Sequence, residues 1–147
     1  MLVTALFHEA QEAGDVDRYM AARLARADAQ QRTILPGFGH MLYPGGDPRA
    51  AVLLERLADQ AATRAERNAL ARIDAIVQAA RDATGLAPTI DFALSALERV
   101  LALPQGAAFS LFALGRAAGW IAHAMEQMED GRLIRPRARY IGLEPRD

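Results

Sequence analysis

One short loop, rich in glycine and proline, constrains the fold of this sequence more than any other stretch. Residues 35–49 contain three prolines and four glycines, together with His40 and Arg49. Glycine admits backbone conformations with positive φ and lets a ligand approach the main chain closely, and glycine with proline marks defined turns. The segments on both sides carry helical patterns. We therefore predict a helical protein whose chemistry is concentrated in this loop.

Signals for helix starts and ends divide most of the remaining chain. Asp47 followed by Pro48 is typical of a helix start, Thr63 with Glu66 matches a capping box, and Gly85 is suited to a helix end. A short helix is predicted at residues 2–13, a second helix capped by Asp15 is predicted to run to about residue 32, and a long helix is predicted at about 107–128, with the other helices between the last two. The sequence thus predicts an all-α protein, a small orthogonal helical bundle in a single domain over residues 1–147.

Apolar residues recur at helical spacing in two of the predicted helices, and both stripes are expected to be buried. The first stripe consists of Ile90, Leu94, Leu97 and Leu101. The second consists of Ala107, Leu111, Leu114, Ala118, Ile121 and Met125. After residue 130 the helical period is lost. Residues 131–147 are predicted to form an extended tail with a short strand at 140–141.

The composition excludes several classes of protein. The formal net charge is -1, from 17 basic and 18 acidic residues, which argues against a general nucleic-acid binder. The chain has no cysteine, so it has neither a disulfide framework nor a thiolate metal site, and no metal-binding motif is evident. It shows neither a signal-peptide pattern nor an apolar run long enough to span a membrane. We therefore expect a cytoplasmic protein without membrane, nucleic-acid or metal partners.

His40 and Asp91 are the candidate residues for proton chemistry. His40 lies between flexible residues of the loop, and histidine is the residue type that can exchange a proton near neutral pH, donate or accept a hydrogen bond, or bind a metal. A surface or capping role is the alternative for His40. Asp91 lies in the first turn of a predicted helix, where an acidic residue is favourable by itself through the helix dipole. Both interpretations of Asp91 remain open on these grounds.

Three arginines are more suggestive as a set than alone. Arg49 directly follows the glycine-rich loop, Arg116 interrupts an apolar helix, and Arg135 lies in the tail. Arginines that converge on one point hold a ligand with several carboxylates, because each guanidinium donates paired hydrogen bonds. The alternative for each arginine is a solvated or salt-bridged surface residue.

Taken together, these motifs resemble the C-terminal part of citrate synthase. The loop Pro36-Gly37-Phe38-Gly39-His40, the Asp47-Pro48-Arg49 element, Asp91-Phe92, and the arginine-to-histidine segment 116–123 follow in the family's order. Arg135-Pro136-Arg137 and Tyr140 are similar to its C-terminal signature. The resemblance covers nearly the whole chain. It implies an all-α, citrate-synthase-like small domain with a C-terminal helix and an extended tail.

The resemblance also implies a reaction, the condensation of an acyl-CoA, usually acetyl-CoA, with a 2-oxo acid, usually oxaloacetate, as in the tricarboxylic acid cycle. Asp91 would be the catalytic base and His40 would polarise the oxo-acid carbonyl. Arg49, Arg116 and Arg135 would bind the carboxylates of the oxo acid, Arg135 usually across a dimer interface. The residues expected near CoA are Gly37, Phe38, Gly39 and Met41. Acyl-CoA would be a substrate, and no further cofactor is expected.

Two departures from the family leave other functions open. Met41 stands where many relatives have arginine, which affects the expected CoA contacts or substrate choice. The large-domain motif with its additional histidine is absent, so a partner chain or a homo-oligomer is expected, and the Leu111 and Leu114 side would then be exposed. The alternatives are an inactive remnant, a module that binds CoA or carboxylates without turnover, and an enzyme that cleaves a thioester like citryl-CoA.

Overall fold

Six α-helices make up the structure, a computed structural model that describes residues 2–29 and 35–134. They are α1 (Leu2–Ala13), α2 (Val16–Ala29), α3 (Pro48–Gln60), α4 (Arg64–Thr84), α5 (Ile90–Val100) and α6 (Ala107–Asp130). The predicted all-α class is confirmed. Among the described residues, β pairing is limited to one isolated bridge, between Phe38 and Pro88, and none of the helices could span a membrane. The predicted strand at 140–141 lies outside the described residues.

The helix ends follow the local signals in the sequence. Asp47 caps α3, with Pro48 in its first turn. Thr63 and Glu66 form the complete capping box at the start of α4, and Gly85 ends α4 in the left-handed conformation at φ 69°. The last helix, α6, continues to Asp130, two residues beyond the predicted end.

The contacts divide the chain into two units. The first comprises Met1–Leu114 and the second Gly115–Asp147, so that α6 begins in one unit and continues in the other. In the first unit, α3 packs against α5, α4 packs against α2 and α5, and α1 packs against α2 and α5. The prediction of a single domain stays a prediction.

Phe92 on α5 lies at the centre of the core of the first unit, where it is fully buried. Its ring lies 5.0 Å from the ring of Phe7 on α1 and 4.8 Å from the ring of Phe38 in the loop. Offset or edge-on aromatic pairs at such distances stabilise a fold beyond the area they bury. Phe92 thus fixes the rotation of α5 relative to both α1 and the loop.

The predicted stripe on α5 is wrong in its orientation. The buried residues of α5 are Phe92, Ala93, Ser95, Ala96 and Val100. Leu101 is exposed, and the other three leucine and isoleucine residues of the predicted stripe are only partly buried. The reason is that α5 is apolar on most of its circumference, so two stripes compete. The small side chains of Ala93 and Ala96 let neighbouring helices approach closely, which favours the face that carries them.

The apolar stripe of α6 is predicted to be buried, and this prediction is wrong for its leucines in the first unit. Leu111 and Leu114 are exposed by 38% and 72%. This agrees with the expectation that their side is exposed when the large domain is absent. Contiguous exposed apolar surface favours association, and the oligomer or complex expected from the sequence stays a prediction.

Gly37 sits at a close approach between the loop, α1 and α5. Its φ is +83°, and a Cβ there would lie 3.0 Å from a methyl carbon of Val3 and 3.1 Å from the Cβ of Phe92. A side chain at this position would therefore be strained by its backbone conformation and would also crowd two buried residues.

We expect the Gly37→Ala variant to lose about 2–4 kcal/mol of unfolding free energy, from the left-handed backbone and the overpacking together. Denaturant titration measures this loss. Gly45→Ala is the matched control in the same loop, because a Cβ at Gly45 meets nothing within 4 Å and its φ lies outside the left-handed region. Equal stability of the two variants would contradict the role given to Gly37.

Candidate active site

Backbone hydrogen bonds join the glycine-rich loop to the segment that leads into α5. The Gly39 N–H donates to the Ala87 carbonyl at 2.9 Å, and the Thr89 N–H donates to the Gly37 carbonyl at 2.8 Å. The Thr89 hydroxyl donates to the same Gly37 carbonyl at 3.1 Å. Since Asp91 follows two residues after Thr89, this pairing sets the position of Asp91 relative to the loop.

Asp47 makes a second connection between the loop and α5. Its fully buried carboxylate accepts hydrogen bonds from the Arg49 N–H at 3.1 Å and from the Ile90 N–H at 3.0 Å. The first bond caps α3. The second satisfies a donor in the first turn of α5, where Thr89 provides no side-chain cap. One carboxylate thus holds the starts of two helices that are distant in sequence.

The carboxylate of Asp47 also orients Arg49. The Arg49 Nε and Nη2 atoms donate to the two carboxylate oxygens at 2.9 and 2.8 Å, which is a bidentate pair. Hydrogen bonds from Arg49, opposed by burial, lower the pKa of Asp47 to about 2. The same hydrogen bond raises the pKa of Arg49. Among the described residues, the Nη1 of Arg49 makes no hydrogen bond, so that it is left for an oxygen of a ligand.

Tyr43 connects Arg49 to His40. The Arg49 guanidinium lies over the Tyr43 ring, 5.3 Å from its centroid, and the His40 ring lies 4.9 Å from the same ring. The Leu42 N–H donates to Nδ1 of His40 at 3.1 Å. An Nδ1 that accepts a hydrogen bond carries no proton, so the neutral ring has its proton on Nε2. His40 is therefore set to donate through Nε2.

Asp91 is exposed and lies in the wall of an apolar cavity of about 430 Å³ that is open to solvent. The wall consists of Val3, Pro36, Gly37, Asp91, Leu94, Ser95, Ala108, Phe109 and Phe112. Within the part of the chain that the structure describes, the Asp91 carboxylate makes no hydrogen bond or ion pair, although the charge of Arg49 acts on it. A carboxylate with this freedom can accept a proton from a bound substrate.

The loop residues expected near CoA differ in what they expose. Met41 is 97% exposed and Gly39 is exposed, whereas the Phe38 side chain is buried in the core at 4%. A ligand can therefore reach Phe38 only through its main chain. Gly37 lines the cavity together with Asp91, as described above.

The structure brings some of the predicted site residues together and leaves others apart. Gly37 and Asp91 share the cavity, while His40 and Arg49 belong to the cluster around Tyr43 and do not line that cavity. Arg116 belongs to the second unit. In that unit the guanidinium of Arg116 lies close to Gly119, since a Cβ at Gly119 would lie 3.1 Å from Nη1 of Arg116. Arg135 lies outside the described residues.

Sequence reasoning missed the contact between Asp47 and α5 and the aromatic wall of the cavity. The Asp-Pro signal identified Asp47 as a cap of α3, but its second partner, Ile90, lies 43 residues away. Phe109 and Phe112 fall outside the predicted stripe of α6, and their aromatic character was the available signal. Within residues 2–29 and 35–134, no three acidic or histidine side chains converge on a point that could hold a metal ion.

Comparisons with known proteins identify one family to which the chain is similar. Residues 2–137 match the family model for the citrate synthase C-terminal domain. The chain is 39% identical to a citrate synthase of Haloferax volcanii over 76% of its length, and 35% identical to citrate synthase 2 of Bacillus subtilis over 89%. It is 33% identical to 2-methylcitrate synthase 2 of Corynebacterium glutamicum over 79% of its length.

The match is confined to one part of these relatives. The chain spans 29%, 35% and 30% of their respective lengths. The matched region includes the glycine-rich loop, the helix that carries Asp91 and the helix that carries Arg116. On the similarity of all three segments, the chain belongs to the citrate synthase family and corresponds to its C-terminal domain.

Proposed function

We propose that this chain takes part in the condensation of an acyl-CoA with a 2-oxo acid such as oxaloacetate, as an acyltransferase of the citrate synthase type. The observation that carries the proposal is the Asp91 carboxylate, which makes no hydrogen bond to a described residue and lies in the wall of the apolar cavity. A carboxylate in such a place is suited to accept a proton from a carbon acid.

The proposed reaction begins with Asp91 as the general base. Asp91 removes a proton from the α-carbon of the acyl thioester, and the resulting enol or enolate carbon attacks the oxo carbon of the second substrate. As the new carbon–carbon bond forms, the oxo oxygen gains charge, and Nε2 of His40 donates to it. Water then cleaves the thioester, which releases CoA and leaves a hydroxy acid with one additional carboxylate.

Arginine side chains are proposed to hold the carboxylates of the oxo acid. Arg49 would use Nη1, the nitrogen that Asp47 does not engage. Because the Asp47–Arg49 pair is locally neutral, Arg49 would contribute a directed hydrogen bond more than net charge. Arg116 and Arg135 would bind the same dianion, and the main chain of Gly37, Phe38, Gly39 and Met41 would lie against CoA. No cofactor other than this substrate is proposed.

The chain is proposed to act together with further polypeptide, as a complex or an oligomer. It spans about a third of the length of the relatives it matches. The exposed side of α6 with Leu111 and Leu114 offers apolar surface for such a partner. A large-domain segment of the citrate synthase type is the partner that this family membership favours.

The test is release of free thiol from acetyl-CoA in the presence of oxaloacetate. The chain is assayed alone and after mixing with the remaining large-domain segment of a related citrate synthase. We expect release in the mixture and little in either component alone. No release by a folded, assembled mixture would contradict the proposal. Titration of CoA and oxaloacetate against the chain would then distinguish a binding module, which binds one of them, from an inactive remnant.

The direction of the reaction is tested in the same mixture. If the chain serves thioester cleavage instead, citryl-CoA is split into acetyl-CoA and oxaloacetate faster than it is formed or hydrolysed. Product analysis by mass spectrometry separates the two directions, and the proposal made here expects net synthesis.

A further inference from the structure

Tyr43 is held in place by the loop that contains it. Its N–H donates to the His40 carbonyl at 3.0 Å, and its carbonyl accepts from the Gly46 N–H at 2.9 Å. These two hydrogen bonds close consecutive turns. The main chain on both sides of the Tyr43 ring is therefore fixed, and the residue itself is half-buried.

The Tyr43 ring contacts two side chains that are proposed to hold the 2-oxo acid. Its centroid lies 4.9 Å from the centroid of the His40 ring, with 45° between the ring planes, and 5.3 Å from the Cζ of Arg49. The face of an aromatic ring is negative and attracts a guanidinium, and tilted ring pairs at this distance attract each other. One ring thus packs against both groups.

The other contacts of His40 and Arg49 do not join the two side chains. The His40 ring accepts one hydrogen bond from a described residue, from the Leu42 N–H to Nδ1, and a single bond leaves the ring free to tilt about it. Arg49 is held by Asp47 through Nε and Nη2. Among the hydrogen bonds, ion pairs and ring contacts of the described residues, those of Tyr43 alone connect His40 with Arg49.

The relative position of these two groups matters for a 2-oxo acid in particular. Such an acid has a carboxylate next to its oxo carbon, so a donor to the oxo oxygen and an arginine on the carboxylate must stand at a fixed separation. A displacement of about 1 Å in such an arrangement costs about a hundredfold in rate. In the proposed reaction, neither group holds the acyl thioester, so loss of the ring should affect the oxo acid more.

We infer that Tyr43 is a positioning residue for the proposed reaction, because its ring sets the orientation of His40 relative to Arg49 in which the pair binds the 2-oxo acid. This inference rests on the proposed function for the identity of the substrate. The side-chain contacts of Tyr43 with His40 and Arg49 are made by the ring and not by the hydroxyl. Direct contact of the hydroxyl with the substrate is the alternative, which Tyr43→Phe distinguishes.

The experiment compares Tyr43→Leu, which removes the ring, with Tyr43→Phe, which keeps it. Thiol release by the assembled mixture gives kcat and separate KM values for oxaloacetate and acetyl-CoA. We expect Tyr43→Leu to raise the KM for oxaloacetate and to lower kcat, each about tenfold, while the KM for acetyl-CoA changes by less than about twofold. Tyr43→Phe should keep all three values within about twofold of the wild type.

Three outcomes of these assays would overturn the inference. They are full activity of Tyr43→Leu, an equal rise of both KM values, which would indicate general distortion of the loop, and losses in Tyr43→Phe as large as those in Tyr43→Leu, which would place the hydroxyl on the substrate. Val52→Ala, at an exposed position of α3, is the control and should leave all values unchanged. If denaturant titration shows that Tyr43→Leu is unfolded, Tyr43→Met replaces it, since its flexible side chain fills irregular space.

NMR on the full chain alone separates this inference from the proposed function. The chain has three histidines, and comparison with His40→Gln identifies the ring signals of His40. The ring current of Tyr43 displaces these signals, and we expect the displacement to be kept in Tyr43→Phe and lost in Tyr43→Leu. Signals that stay in place in Tyr43→Leu overturn the inference, whatever the turnover. The expected change, together with no turnover by the wild-type mixture, supports the positioning of His40 and contradicts the proposed function.

Discussion

The Asp91→Asn variant is expected to lose condensation activity by about 10²–10⁴-fold in kcat, the contribution typical of a positioned general base. The amide has nearly the same shape as the carboxylate but does not accept the proton. In the structure the Asp91 carboxylate makes no hydrogen bond or ion pair to a described residue, so its replacement removes no contact of this kind from the fold. The substitution does remove a negative charge from the first turn of α5. The interaction of that charge with the helix dipole contributes about 0.3–1 kcal/mol to the unfolding free energy.

Activity and stability of this variant are measured together. The assay follows thiol release by the chain assembled with the large-domain segment, and denaturant titration follows unfolding of the chain. Asp59→Asn is the control, because Asp59 is an exposed residue of α3 with only a 3.8 Å contact to Arg56. If the variant unfolds at the same denaturant concentration as the wild-type chain and yet retains full kcat, the assignment of Asp91 as the base is contradicted.

Local sequence signals predicted the helix boundaries because the forces that end a helix act within a few residues. Asp47 before Pro48, the Thr63 capping box and the left-handed Gly85 each satisfy or replace neighbouring backbone groups. Such groups can be read from the sequence without knowing the fold. The all-α class followed from these signals and from the apolar periodicity.

The orientation of α5 could not be predicted, because periodicity alone does not weigh two apolar faces against each other. The leucine and isoleucine residues form the more hydrophobic stripe, but Phe92 packs between Phe7 and Phe38, and the latter two come from distant parts of the chain. A single buried aromatic residue thus decided which face of α5 points inward. The same rotation leaves Asp91 and Leu94 in the wall of the cavity.

The candidate site was predicted from its residue types, and its internal connections were not. Asp91, His40 and Arg49 were identified from the loop, the helix start and the family resemblance. The bond from Asp47 to the Ile90 N–H, the Tyr43 ring between His40 and Arg49, and the proton position on His40 depend on tertiary contacts. Spacing along the chain carries no information about contacts of this kind.

Asp47→Ala is expected to destabilise the fold by about 3 kcal/mol of unfolding free energy. The substitution removes the cap of α3 and leaves the Ile90 N–H without its acceptor. Loss of a cap costs about 0.5–2 kcal/mol, and an unsatisfied backbone donor costs about 1–3 kcal/mol. Denaturant titration measures the sum, with Asp59→Ala as the exposed control that should change stability by less than about 0.5 kcal/mol.

The pH dependence of the unfolding free energy distinguishes the effect of the Asp47 charge from the effect of its hydrogen bonds. The pKa of Asp47 is about 2 in the folded chain and about 3.9 in an unfolded one. Because the folded pKa is depressed, the stabilising effect is complete above about pH 4 and is lost as the pH falls toward about 2, by about 2 kcal/mol. Asp47→Asn keeps an oxygen that accepts from the Ile90 N–H but does not titrate. The wild-type chain should therefore lose about 2 kcal/mol more stability than Asp47→Asn over this range, and parallel losses would show that the Asp47–Arg49 pair does not stabilise the fold.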